Sequence, residues 1–318
     1  MNKKPFLFNL LFLFLWQVSF AQQTILNDSN LPIMVISTDI DPDTNTPTDI
    51  PDEPKVLATM YLIYRPDGTR NYLTDITNPS FLNYKGRIGI ELRGSSSQAL
   101  DKKPYGFTTL LDDDDSNNNV SLLGMPSEND WVLNSLAYDP SMIRDYLSYT
   151  LSNNMGNYAP RVQYIEVLVN GDYKGVYFLT EKVKRDSDRV NLKKIADDDN
   201  DFPDVTGGYI VKADKTTGGD EVAWTMPNYG GWDTNFLHHY PKTEDITSQQ
   251  ANYIETIFYD LEAKTNPVNT SIIDGYPSII DIPSFVDYML MAEFASNPDA
   301  YQFSTYFHKD RGGKLRAG

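Results

Sequence analysis

Asn297 and Asp299 flank Pro298 directly after the apolar run "FVDYMLMAEFAS". A carboxylate held at the end of a rigid element can accept a proton from an attacking hydroxyl, and an amide oxygen beside it can bind a hard cation. The same residues can serve only to stop a helix, because Asn-Pro-Asp is ordinary turn chemistry. A second candidate is "ELRGSSSQALDKKPYGF", where Arg93, Lys102 and Lys103 surround a Gly-Ser-rich bend. Small residues let backbone N–H groups approach a ligand closely and fixed cations neutralise phosphate oxygens, which makes a triphosphate cradle; the plainer alternative is a surface turn with solvated lysines. A third stretch, "LTEKVKRDSDRVNL", follows a hairpin and either lines a cleft or is a charged loop.

Other chemistries are poorly served. No G-x-x-x-x-G-K-[ST] loop, G-x-S-x-G elbow or H-E-x-x-H helix occurs, and the three histidines are at positions 238, 239 and 308. Zinc hydrolysis and a Ser-His triad are therefore not expected, and zero cysteines exclude thiol catalysis and disulfides. Asp39, Asp41 and Asp43 have the opening spacing of a calcium loop, but Thr44 and Ile50 stand where glycine and glutamate are needed, so a solvated turn is expected.

The elements that must position these residues read as α+β. The opening "MNKKPFLFNLLFLFLWQVSFAQQ" has a basic start, an apolar stretch and small residues at Ser19 and Ala21, so residues 1–21 are expected to be a secretory signal peptide. No later stretch reads as a spanning helix. With 27 basic and 44 acidic residues the net charge is −17, a field that disfavours nucleic acid and anionic lipid. From Lys55 to Leu111 alternating segments predict strands. "VQYIEVLVNGDYKGVYFLTEKV" predicts a hairpin with a type I′ turn at Asn170-Gly171, and the run Asp112 to Asp115 a hairpin tip. Helical spacing falls in 139–156 and 249–265, and again in 281–296, where apolar residues on most faces predict a buried helix. A β-rich part over 22–195 with one main helix would precede a more helical part over 205–318.

In order along the chain, "ELRGSSSQALDKKPYGF", "SLLGMPSENDWVLNS", "MIRDYLSYTLSNNMG", "YAPRVQYIEVLVNGDYKGVYFLTEKVKRDSDRVNL", "GGYIVKADK" and "EFASNPDAYQFSTYFHKDRGGKL" resemble the CotH kinase family of atypical secreted kinases, named for a spore coat protein. The resemblance runs from about Pro32 to the terminus. It implies an atypical protein-kinase-like two-lobed fold, with ATP and Mg²⁺ or Mn²⁺ as cofactors. The implied substrates are Ser/Thr hydroxyls of proteins outside a bacterial cytoplasm, secreted or at the cell surface. By motif, Asp299 matches the acidic residue regarded as the base, with Asn297 beside it as catalytic and metal-side candidate. Arg93, Lys102 and Lys103 match the phosphate-side segment, with either lysine able to be the contact, and Glu181 lies in the connector that would face the nucleotide. The family continues after the glycine turn into a Trp-Asp-x-Asp type segment that holds the metal. This chain ends at Gly318 before it, so the resemblance implies a truncated fragment with an incomplete C-terminal lobe. "GSSSQ" also departs from the more frequent Gly-Asn-Ser bend. The alternative is a catalytically inactive surface or coat-assembly binding module, for which "AWTMPNYGGWD" would offer a contact surface or simply a structured loop.

Overall fold

The computed structural model describes residues 25–216, 220–227, 231 and 233–318. The expected signal peptide and part of "AWTMPNYGGWD" lie outside them. Strands β1 (Asp28–Ser29), β2 (Ile33–Thr38), β3 (Val56–Ile63), β4 (Asn71–Tyr72), β5 (Leu82–Leu92), β6 (Tyr105–Leu110) and β7 (Asp130–Asn134) precede helix α1 (Arg144–Asn154). Strands β8 (Val162–Val169) and β9 (Asp172–Glu181) follow. Apart from the small β1/β4 pair, these strands form one closed barrel in the order β2-β3-β5-β6-β7-β9-β8. All neighbours are antiparallel except β2 and β8, whose parallel pairing closes the ring with Ile33 opposite Glu166.

Period-2 alternation explains the barrel. Met34 and Ile36, Ala58, Met60 and Leu62, Ile88 and Ile90, Tyr105 and Phe107, Trp131 and Leu133, and Tyr177 and Leu179 fill one interior cluster. Leu122 and Met125, from the β6–β7 connection, join them. The hairpin joining β8 to β9 has φ of 51° at Asn170 and 80° at Gly171, the two positive values that a type I′ turn requires. A side chain at Gly171 would be held in the left-handed region, so Gly171→Ala is expected to cost about 1 kcal/mol, read from denaturant midpoints. The acidic run is a turn as expected: Asp113 accepts the backbone N–H groups of Asp115 and Ser116, and Asp114 reaches back to Arg87, which also pairs with Asp39. Asp41 caps its own turn by accepting from Asp43 N and Thr44 N.

After the connector 182–208 the chain makes β10 (Tyr209–Ala213), β11 (Trp224–Met226), β12 (Thr234–Tyr240), α2 (Ser248–Thr265), α3 (Ile282–Phe294), β13 (Thr305–Lys309) and β14 (Leu315–Ala317). The strands form a five-stranded antiparallel sheet in the order β11-β12-β10-β13-β14. One face packs Tyr209, Val211, Trp224 and Phe236 with Ile254 and Phe258 of α2. On the other face, Ile210 and Tyr306 meet Val190 and Leu192 of the connector and Tyr158 from the barrel side. Helix α2 starts on a capping box between Thr247 and Gln250.

The expectation of a buried last helix needs correction. Within α3 only Ser284 and Ala292 are buried, while Ile282, Val286, Met289, Leu290 and Phe294 are exposed. The helix docks by a narrow strip: Phe285 meets Phe307, and the Ser284 hydroxyl accepts from Ala317 N. Its remaining apolar face has no cover among the described residues.

Candidate functional site

The barrel wall facing the sheet carries an unusual polar patch. Inward Ile88, Ile90, Tyr105 and Phe107 leave Gly89 and Glu91 of β5, and Gly106 and Thr108 of β6, on the outer side. A Cβ at Gly89 would lie 3.4 Å from Lys55 Cβ, and one at Gly106 would lie 3.4 Å from Glu91 Oε1, so the Lys55 and Glu91 side chains lie across these buried glycines. Lys55 Nζ donates to Thr108 Oγ1 (2.8 Å) and lies 3.7 Å from Glu91. Thr108 donates to Asp130 Oδ1 (2.9 Å), and Lys184 bridges Asp130 and Glu128 at 3.2 and 3.0 Å. Burial raises the Glu91 carboxyl against the pull of Lys55 and Lys182. Asp130, despite its desolvation, is held below the usual carboxylate range by Lys182 and Lys184.

Lys182 is exposed, yet desolvation lowers its pKa, a combination expected of a side chain lining a cleft. The nearby charges of Lys55, Lys242 and Arg93 lower it further, with Asp130 opposing them. Arg93 is also felt by Tyr149 of α1 and Tyr306 of β13, so it stands where barrel, helix and sheet converge. On the sheet side Lys212 pairs with Asp220, which lies 3.8 Å from Lys242. His239 Nε2 donates to the Val183 carbonyl (2.8 Å), which fixes the tautomer, and its ring meets Tyr306 edge-on at 5.2 Å. A strongly acidic chain thus brings Lys55, Arg93, Lys182, Lys212 and Lys242 near one another, with Glu91, Asp130 and Asp220 among them. Such a site can hold a polyanion.

Burial pushes His239 down to about 4, with Lys242, Lys212 and Lys182 adding repulsion, and pushes His308 down to about 4, with Arg316 adding to it. Between pH ~6.5 and ~4 the unfolded chain therefore takes up protons that the folded chain refuses, so stability falls as pH drops through that window. The thermal midpoint is expected to decline from pH 7 to 4.5, and less steeply in His308→Gln.

The structure places the sequence-derived candidates in three different settings. Arg93 lies in the cleft. The Gly-Ser bend beside it is closed by its own groups: Arg93 N donates to the Pro104 carbonyl, Gln98 Nε2 to the Gly94 carbonyl, and Lys103 Nζ to the Gln98 carbonyl (2.6 Å). Gly94 has φ of 85° there, and a Cβ would meet Ser97 Oγ at 2.3 Å. Lys102 packs on the barrel wall, donating to the Val176 carbonyl and lying 4.7 Å from the Tyr177 ring centre, with burial lowering its pKa. Glu181 shares inward parity with Tyr177 and Leu179, is buried, and accepts from Arg161 Nη1 (2.7 Å) and Arg161 N (2.9 Å), with Arg189 at 4.0 Å.

Asn297 and Asp299 occupy the exposed turn between α3 and β13. Asn297 Oδ1 accepts from Asp299 N (3.1 Å), which is helix-ending turn chemistry. Among the described residues no hydrogen bond or ion pair engages the Asp299 carboxylate, and none joins it to Arg93, Lys102, Lys103 or Glu181. Ser296, Tyr301 and Ser304 have φ of 50°, 72° and 49°, a concentration of left-handed non-glycine residues of the kind that collects at functional loops. Lys55, Asp130, Lys182, Lys212 and Lys242 were not singled out from the sequence. Alternation in "FLTEKVK" was the available signal, since it turns Glu181 inward and Lys182 outward.

Residues 90–318 match the family model described as CotH kinase protein, well over half of the chain. The chain belongs to that family, and α+β architecture with a kinase-type phosphotransferase class is what the match and the fold together support. No curated protein matches the chain. The family implies ATP and a divalent metal in general. The cationic cleft fits phosphate. Among the described residues no three His, Asp or Glu side chains gather as a ligand group, and the Asn297 amide oxygen accepts one backbone bond, which leaves its second lone pair for a cation. No helix among the described residues is long and apolar enough to cross a membrane.

Proposed function

We propose that this chain is an exported, ATP-dependent protein kinase that phosphorylates Ser/Thr hydroxyls of extracytoplasmic proteins, secreted or at a bacterial cell surface. The barrel corresponds to the N-terminal lobe and the sheet with α2 and α3 to the C-terminal lobe of a kinase-like two-lobed fold. The observation that carries this reading is the gathering of Arg93, Lys55, Lys182 and Lys242 beside β5 and β6 in a chain of net charge −17. These cations outnumber the carboxylates of Glu91 and Asp130 beside them and can neutralise a phosphate chain. Asp299 orients the acceptor hydroxyl and takes its proton. Mg²⁺ or Mn²⁺ accompanies ATP.

The test is ATP-dependent thermal stabilisation together with intact-mass detection of phosphoryl groups on the chain and on a serine-rich acceptor protein. Lys182→Ala is expected to weaken ATP binding by about tenfold, the scale of one charge-assisted contact, with the fold retained because Lys182 is exposed. Stabilisation by ATP that is equal in wild type and Lys182→Ala would remove the cleft as the phosphate site. A second reading, a catalytically inactive surface or coat-assembly module, is favoured by the structural engagement of Lys102, Lys103 and Asn297. It predicts ATP binding at most, and no phosphoryl addition.

A further inference from the structure

Strand β8 is paired on both sides only from Glu166 onward. At its start the odd-numbered residues make the ladder bonds to β9, as the donation from Glu181 N to the Arg161 carbonyl shows, so Val162 and Tyr164 turn their N–H and C=O groups the other way. Glu166 N uses that direction to reach the Pro32 carbonyl, where the parallel pairing with β2 begins. Pro32 has no N–H to return, and among the described residues no strand or isolated bridge joins Val162 or Tyr164 on that side. Their edge faces a groove of two adjoining cavities of about 290 and 460 Å³, walled by Leu123 and by Tyr146, whose ring is packed on Tyr164 at 5.6 Å. Arg161 is the one charged residue of the lining. Its Nη1 goes to Glu181 and the Asp188 carbonyl, while Nη2 and Nε have no partner among the described residues and the side chain is 43% exposed. Glu181 also faces Arg189, so one carboxylate answers two guanidinium groups and a positive charge is left over beside the groove.

We propose that this groove docks an extended segment of a partner protein, which adds as a strand to the open edge at Val162 and Tyr164 and sets an acidic side chain against Arg161. An unpaired strand edge offers main-chain bonds to another extended chain, and strand addition uses them whatever the side chains are. The added strand takes the lane that β2 leaves at Pro32. Arg161 then selects the segment, because a guanidinium with two unused nitrogens takes a carboxylate in a two-bond fork. The larger cavity runs on past Arg161 to Pro160 and Asn154, which gives the bound chain room to continue, so the carboxylate belongs to a side chain and not to a terminus. The proposal does not depend on the phosphoryl-transfer reading, and the two fail separately.

The experiment selects a displayed library of random heptapeptides on the chain and titrates the best binder, capped at both ends and labelled, by fluorescence anisotropy. Its Kd is expected on the order of 100 μM or tighter, with aspartate or glutamate recurring at one position. Replacing that acidic residue by its amide should weaken binding by about tenfold in the wild type and leave binding to Arg161→Ala unchanged. Val162→Pro removes one donor from the open edge at the first residue of β8, where proline is tolerated and the β9 ladder loses no bond. It should also weaken binding by about tenfold, with stabilisation by ATP at the wild-type level, and it keeps the test valid should Arg161→Ala disturb Glu181. A library that yields no binder, selected peptides without a shared acidic position, or wild-type affinity in Val162→Pro overturns the proposal. Dimerisation of the chain that Val162→Pro abolishes would also overturn it, assigning the edge to a second copy.

Discussion

Replacing Asp299 by alanine is expected to slow phosphoryl transfer to a serine-bearing acceptor by about 10²- to 10⁴-fold, the range associated with a positioned general base. The ATP affinity and the unfolding midpoint should stay at their wild-type values. Asp299 is exposed, and no bond among the described residues engages its carboxylate, so the fold loses little with it. Its turn is held by other atoms: Asn297 Oδ1 takes the Asp299 backbone N–H, and the Tyr288 hydroxyl takes Tyr301 N at 3.1 Å. Asp299→Asn should be equally slow, because the amide keeps the size but cannot accept the proton. Radiolabel transfer at saturating ATP reads the effect. Wild-type transfer by Asp299→Ala would remove this residue from the chemistry and leave the cleft without an identified base.

Glu181→Ala should show the opposite profile, losing about 3–5 kcal/mol of stability with ATP affinity per folded molecule unchanged. The carboxylate has no exposed side-chain surface and faces two arginines, of which Arg189 is itself buried. Removing it leaves Arg189 as an uncompensated buried cation, whose Nη2 already lacks a partner among the described residues. Denaturant midpoints give the stability, and titration of ATP below the transition gives the affinity. A stable Glu181→Ala protein with impaired ATP binding would restore Glu181 to the nucleotide site and contradict the burial described above.

These two residues also mark where sequence reading succeeds and fails. Strands and hairpin were legible because alternation and Asn-Gly report local geometry, and the α+β order followed from them. Helix α3 was misread because its apolar faces say only that partners would be welcome. The five-stranded sheet and α2 fill one side of the space, and Val286, Leu290 and Phe294 are left outward. In the cleft, Arg93 stood out beside a Gly-Ser bend. Lys55, Lys182 and Lys242 belong to three distant segments that meet only after the barrel closes and the sheet docks. Nothing local in the chain pairs residue 55 with residue 182. Glu181 and Lys182 are chain neighbours with opposite fates, decided by which one takes the inward position in β9.

The parallel pairing of β2 with β8 carries a consequence for how the chain comes into being. β9 pairs with β7 across the intervening α1 and β8, and the ring shuts only when the strand opening at Ile33 finds the one ending at Val169. Until then, β2 and the growing far end both expose unpaired backbone, and the future interior is open to water. A ring closed by its first and nearly last staves forms late, because a long loop must be ordered before any contact rewards it. With no cysteine to trap a half-built state, a chain arrested before β8 would be an adhesive open sheet and not a smaller barrel. Shortening the protein from within this region should therefore produce aggregates in place of a stable subdomain.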